Sequence, residues 1–132
     1  MQCATEGDTL DQRRSVLIVD RSEETREVLE TALNRRGVQT YTAKRASEGV
    51  ELGRRHSPNL IVLDLEIDDI NDDIDLEHAK QPFWANLGDN NVPIILLGNL
   101  RRNQPPIPGS EFVAKPYHFG PLIRRIEEIL NK

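Results

Sequence analysis

The chain of 132 residues holds one cysteine, one tryptophan and one methionine. A single thiol, Cys3, excludes an internal disulfide framework and a multi-cysteine metal site. We read it as an incidental thiol in the N-terminal segment. His56, His78 and His118 are scattered and do not give the ligand spacing of a zinc site. No apolar run approaches the roughly 18 residues needed to span a bilayer. The first fourteen residues are polar and acidic, without the basic-then-apolar order of a secretory leader. Lys and Arg never form more than an adjacent pair, and the formal charge is −5. Both facts argue against a general nucleic-acid binder.

What is present is the balance of a globular domain, with 37% hydrophobic and 30% charged residues. The length holds one domain. The reading is a flexible tail over 1–14 and a single domain over 15–132, with no membrane segment and a reducing, cytoplasmic location.

Four short apolar runs read as strands covered on both faces: Val16–Val19, Leu60–Leu63, Ile94–Leu97 and Phe112–Ala114. Val38–Thr42 alternates and suits an edge strand with one wetter face. Ser22 caps a helix that begins with Glu23 and Glu24, buries Val28, Leu29, Ala32 and Leu33, and stops at Gly37. A second helix runs from about Ala46 to Arg55, before Ser57-Pro58. The last begins near Phe119 and carries Leu122, Ile126, Ile129 and Leu130 on one face. Strands alternating with helices predict an α/β doubly wound parallel sheet. For five strands the expected order is the flavodoxin-like 2-1-3-4-5.

Two buried runs end in an acid, Asp20 after Val19 and Asp64 after Leu63. In a doubly wound sheet the site lies beyond the carboxyl ends of the strands, at the switch between the first and third. Lys115, after Ala114, ends a third strand. One carboxylate can serve as nucleophile, a second can help hold Mg²⁺, and the ammonium can neutralise phosphoryl oxygens.

The order of these segments resembles the receiver domain of two-component response regulators. The matching stretches are Val16-Leu17-Ile18-Val19-Asp20, Ser57 to Leu65, Val92-Pro93-Ile94-Ile95-Leu96-Leu97, and Phe112-Val113-Ala114-Lys115-Pro116. The likeness spans roughly residues 15 to 132. It implies that Asp64 stands at the phospho-acceptor position, Lys115 at the signalling lysine, and Asp20 at the first residue of the acidic pair. By the same likeness the Glu66 backbone carbonyl is a metal candidate, and Lys115-Pro116 is a candidate cis peptide.

The departures are as informative. Where the family carries its second acid, the direct metal ligand, this chain has Arg21. The exchange removes an oxygen ligand and adds a positive charge, so Mg²⁺ binding is expected to weaken. Arg21 either pairs with Asp64 in place of the metal or turns to solvent. The family's hydroxyl residue after strand four is replaced by Gly98, followed by Asn99, which could supply a donor. The Met-Pro after the acceptor is replaced by Ile67-Asp68. Phe112 matches the rotating aromatic position, or serves only as a core residue at the sheet edge. Only 17 positions separate Gly98 from Lys115, and Pro105, Pro106 and Pro108 lie among them. Proline disrupts helices, so the fourth helix is expected to be short or absent.

Residues 64 to 77 contain eight acids. They lack the central glycine and closing glutamate of a calcium loop, and read as a solvated acidic loop in which Asp68 or Asp69 could approach the site. Pro82 is expected to end or kink a third helix, Phe83 and Trp84 to cover the sheet, and Arg101 and Arg102 to lie in solvent.

Two functions compete. One is a stand-alone, degenerate (pseudo-receiver) signalling domain of a two-component or phosphorelay system. It would act through protein interaction, with a protein partner, a histidine kinase or phosphotransfer protein, or a second copy, and would not be an enzyme. The alternative is a working phospho-acceptor at Asp64 with weakened Mg²⁺ dependence. A flavin or nucleotide binder on the same fold needs glycines after strand one, and Asp20-Arg21-Ser22-Glu23-Glu24 has none. With the chain ending at Lys132 after the last helix, no DNA-binding unit is expected to follow.

Overall fold

Alternation along the strands sorts the core into two layers. Val16, Ile18, Leu60, Val62, Ile95 and Leu97 face one way, and Leu17, Val19, Ile61, Leu63, Ile94 and Leu96 the other. All are at most 5% exposed. The computed structural model describes residues 14–66, 92–99 and 110–131.

Five parallel strands form one sheet in the order β2-β1-β3-β4-β5. They are β1 (Ser15–Val19), β2 (Gln39–Ala43), β3 (Leu60–Asp64), β4 (Ile94–Gly98) and β5 (Glu111–Ala114). The helices among the described residues are α1 (Glu23–Arg35), α2 (Ala46–His56) and α3 (Phe119–Leu130). This is the expected flavodoxin-like arrangement. None of these helices is long and apolar enough to cross a membrane.

α1 and α3 cover the face of Val16 and Ile18, through Leu29 and Leu33 from α1 and Leu122, Ile123, Ile126 and Leu130 from α3. An ion pair of 2.7 Å between Arg36 and Glu127 joins these two helices. α2 lies on the other face, where Ala46 is buried and Val50 and Leu52 pack against the core. It approaches closely at Gly49, where a Cβ would stand 2.8 Å from Val19 Cγ2.

Several local expectations hold and several shift. Ser22 caps α1, its side chain accepting from the Thr25 N–H at 3.2 Å. Gly37 turns the chain at φ 81°. Of the four residues expected to be buried on α1, Leu29 and Leu33 are, while Val28 and Ala32 are half-buried. On α3 the buried stripe takes Ile123, and Ile129 sits half-buried at its margin. The second strand begins one residue later than predicted, because the Val38 N–H is engaged by the Leu33 carbonyl in the turn that ends α1. β5 was expected to be covered on both faces, yet all four of its residues are half-buried, as suits its place at the end of the strand order. The expectations for the tail, the acidic loop beyond Leu65-Glu66, Phe83, Trp84, Arg101, Arg102 and the short or absent fourth helix fall outside the described residues.

Candidate functional site at the carboxyl end of the sheet

Register brings the strand-end acids together. Val19 is paired with Leu63, so Asp20 and Asp64 follow side by side on adjacent strands. The alternation that puts Ile18 and Val62 in the α1/α3 layer carries Asp20 and Asp64 to the same face. Both are 2% exposed, and their carboxyl groups are close enough to interact electrostatically. The parallel register of β1 and β3 therefore delivers the two acids to one buried place.

Each acid is held by the backbone beside it. Asp20 Oδ1 accepts from the Ser22 N–H at 2.8 Å. The Asp20 carbonyl accepts from Arg26 at 2.7 Å, which ties the strand end to α1. Asp64 Oδ1 accepts from the Glu66 N–H at 2.9 Å and from Lys115 Nζ at 2.9 Å. Lys115 Nζ also reaches Glu66 Oε1 at 3.2 Å. The Lys115 N–H is bonded to the Gly98 carbonyl, and Lys115-Pro116 is cis, as the sequence suggested.

The electrostatics follow from this crowding. Burial pushes the Asp20 carboxyl up to about 6, against the Ser22 N–H, and the neighbouring charge of Asp64 adds to the rise. Burial acts to lower the Lys115 pKa, but the hydrogen bonds and charges of Asp64 and Glu66 outweigh it and raise the value above its ordinary one. Burial and the Asp20 charge likewise raise the Tyr117 phenol.

Two residues the sequence reading passed over belong to this site. Tyr117 meets Phe119 edge-on at 5.7 Å, and Asp20, Asp64 and Lys115 all act on its phenol electrostatically. The available signal was an aromatic two residues beyond the strand-end lysine. The second is the Glu66 carboxylate, which had been considered only for its backbone carbonyl.

Arg21 is exposed and follows buried Asp20, and Lys115 is ion-paired with Asp64. Gly98 is buried at the end of β4, and Asn99 is exposed after it. A Cβ at Gly98 would stand 3.3 Å from both Leu65 Cδ1 and Phe112 Cε1. Leu65 and Phe112 pack in the α2-side core, so Phe112 is a core residue seated on the glycine.

For a divalent cation, which the fold implies, the protein offers the two adjacent carboxylates. Among the described residues no three His, Cys, Asp or Glu side chains gather as a metal cluster, and the Glu66 carboxylate is directed to Lys115. Mg²⁺ accepts one or two carboxylates with water completing its octahedron. The donor set therefore fits the ion, with one protein charge fewer than the resemblance implies. A separate cleft of about 490 Å³ is lined by Thr42, Ser47, Glu48, Glu51 and Leu52 and uses none of these residues.

No family model matches the chain. It is 25% identical over 122 residues to the cell cycle transcriptional regulator CtrA of Caulobacter vibrioides, covering 89% of this chain and 50% of that one. The chain thus spans about half the length of the curated relatives it matches. A response regulator receiver modulated diguanylate cyclase from Pelobacter carbinolicus superposes with a TM-score of 0.65 at 27% identity, covering 89% of this chain and 92% of that one. A two-component response regulator from Clostridium difficile gives 0.70 at 17% identity, with 91% and 98% covered. By fold and by sequence likeness, the chain is similar to the receiver domains of two-component response regulators.

Proposed function

We propose that the chain is a receiver-like signalling domain of a two-component or phosphorelay system, working by protein–protein interaction and not as an enzyme. The observation that carries this reading is Gly98. The position has no hydroxyl to contact a phosphoryl group, and a Cβ there would press on Leu65 and Phe112 at 3.3 Å. Occupancy at Asp64 then lacks the usual link to the β4–β5 end of the sheet. The partner is a protein, either a histidine kinase or phosphotransfer protein, or a second copy of the chain. The reading includes neither nucleic acid nor membrane as a partner and takes the domain as cytoplasmic.

A second reading is favoured by the Asp20–Asp64–Lys115 geometry. Asp64 Oδ1 already accepts two hydrogen bonds, from Lys115 and from the Glu66 N–H. The attack on a donor phosphorus would fall to the other oxygen, with the donor's leaving group departing on the far side. Lys115 would neutralise the transferred oxygens, and Asp20 with Asp64 would hold Mg²⁺. When bound, that ion supplies charge neutralisation between the carboxylates and the phosphoryl group.

An amide NMR titration with Mg²⁺, then Mg²⁺ plus beryllofluoride, separates the two, with Asp64→Asn as control. The interaction reading expects no saturable shifts at millimolar Mg²⁺ in the folded protein. Saturable shifts around Asp20, Asp64 and Lys115, lost in the control, would replace it with the phospho-acceptor reading.

A further inference from the structure

Lys115 is held by two carboxylates, and the phosphoryl chemistry of the site calls for only one. Its Nζ lies 2.9 Å from Asp64 Oδ1 and 3.2 Å from Glu66 Oε1. Asp64 is the inner partner, with its side chain 3% exposed, and Glu66 the outer one, at 44%. An ammonium has three N–H donors, and two of them are committed. The Glu66 N–H also binds Asp64 Oδ1 at 2.9 Å. The turn after β3 is therefore anchored to the same oxygen that Lys115 uses, and the Glu66 carboxylate is fixed on the solvent side of the ammonium. An anion coming to Asp64 from solvent meets that carboxylate and competes with it for Lys115.

We propose that Glu66 is a positioning residue that clamps Lys115 and withholds it from anionic phosphoryl groups at Asp64, so that Glu66 sets the site's affinity for such ligands. The ligand rests on the phospho-acceptor reading of Asp64, whereas the clamp itself does not. The charge of Glu66 opposes a phosphoryl-type anion at short range, in a setting between bulk water and protein interior. Removing one unit charge there corresponds to about five- to tenfold in affinity.

The test compares wild type with Glu66→Gln, which keeps the shape and removes the charge. Glu51→Gln on α2 removes an equal charge elsewhere, where Glu51 pairs with exposed Arg55. Two quantities are measured: the order of the Lys115 side chain from ¹³C relaxation at Cε, and the affinity for beryllofluoride with Mg²⁺ from amide shifts. Glu66→Gln should loosen Lys115 and tighten beryllofluoride by about five- to tenfold, while Glu51→Gln changes neither. Binding seen only in Glu66→Gln also supports the clamp. Equal affinity in wild type and Glu66→Gln overturns the inference and leaves Asp64 as acceptor. If no protein binds beryllofluoride, the acceptor reading fails, and Lys115 order decides the clamp. Loosening in Glu66→Gln supports the clamp, and unchanged order overturns it.

Discussion

Gly98 and Phe112 share one space. A Cβ on residue 98 would come within 3.3 Å of Phe112 Cε1, and within 3.3 Å of Leu65 Cδ1 on its other flank. The missing hydroxyl at this position and the seat of the aromatic ring are linked, because a side chain at 98 would push on the ring by a few tenths of an ångström.

Gly98→Thr is therefore expected to destabilise the domain by about 1–3 kcal/mol, the usual cost of overpacking a filled core. Urea unfolding measures it, and the Phe112 ring resonances should move in the same variant. A neutral effect with unmoved ring resonances would show that Leu65 alone gives way.

A related contact ties α2 to the sheet. Gly49→Ala gains about 1 kcal/mol of helix propensity but places its methyl 2.8 Å from a methyl of fully buried, β-branched Val19. The expected net result is a loss of about 1–2 kcal/mol. A double-mutant cycle with Val19→Ala checks the cause, since the smaller partner should relieve most of the cost.

The buried acid pair sets a pH dependence of definite sign. Asp20 is raised from 3.8 to about 6, so the folded state binds its proton more tightly than the unfolded chain does. Its stabilising contribution is complete below 3.8 and is lost as pH rises through about 6. Asp20→Asn should gain on the wild type by about 2 kcal/mol between pH 4 and pH 7. Urea midpoints across that range measure the difference. A constant gap between the two proteins would place the titration elsewhere.

Arg21 directly follows Asp20 and is exposed. Arg21→Asp removes a repelling charge and adds an oxygen ligand, and should tighten Mg²⁺ by roughly tenfold or more. The amide titration reads this directly, and unchanged affinity would mean that residue 21 points away from the ion's position.

The N-cap of α1 lies in the same loop. Ser22→Ala removes the side-chain acceptor of the Thr25 N–H and should cost about 1 kcal/mol. Ser22→Asp should recover most of it, with thermal unfolding as the measure.

Local chemistry in the sequence determined much of this protein. Runs such as Val16–Val19 and Leu60–Leu63 must be strands buried on both faces, because they leave no polar side for water. Ser22 and Gly37 mark the ends of α1 through a cap acceptor and a left-handed turn. The acids at 20 and 64 and the lysine at 115 follow directly on strand residues, so strand order alone sent them to one edge. Tertiary structure decided what those residues do to one another. The rise of Asp20 comes from burial beside a second acid on a neighbouring strand, 44 positions away in sequence. The double hold on Lys115 joins two turns separated by 49 positions. The closed space at Gly98 depends on a ring from β5 and a leucine after β3. None of these is encoded in a local pattern, because charge coupling and packing act across space, and only the parallel register of the strands brings the partners together.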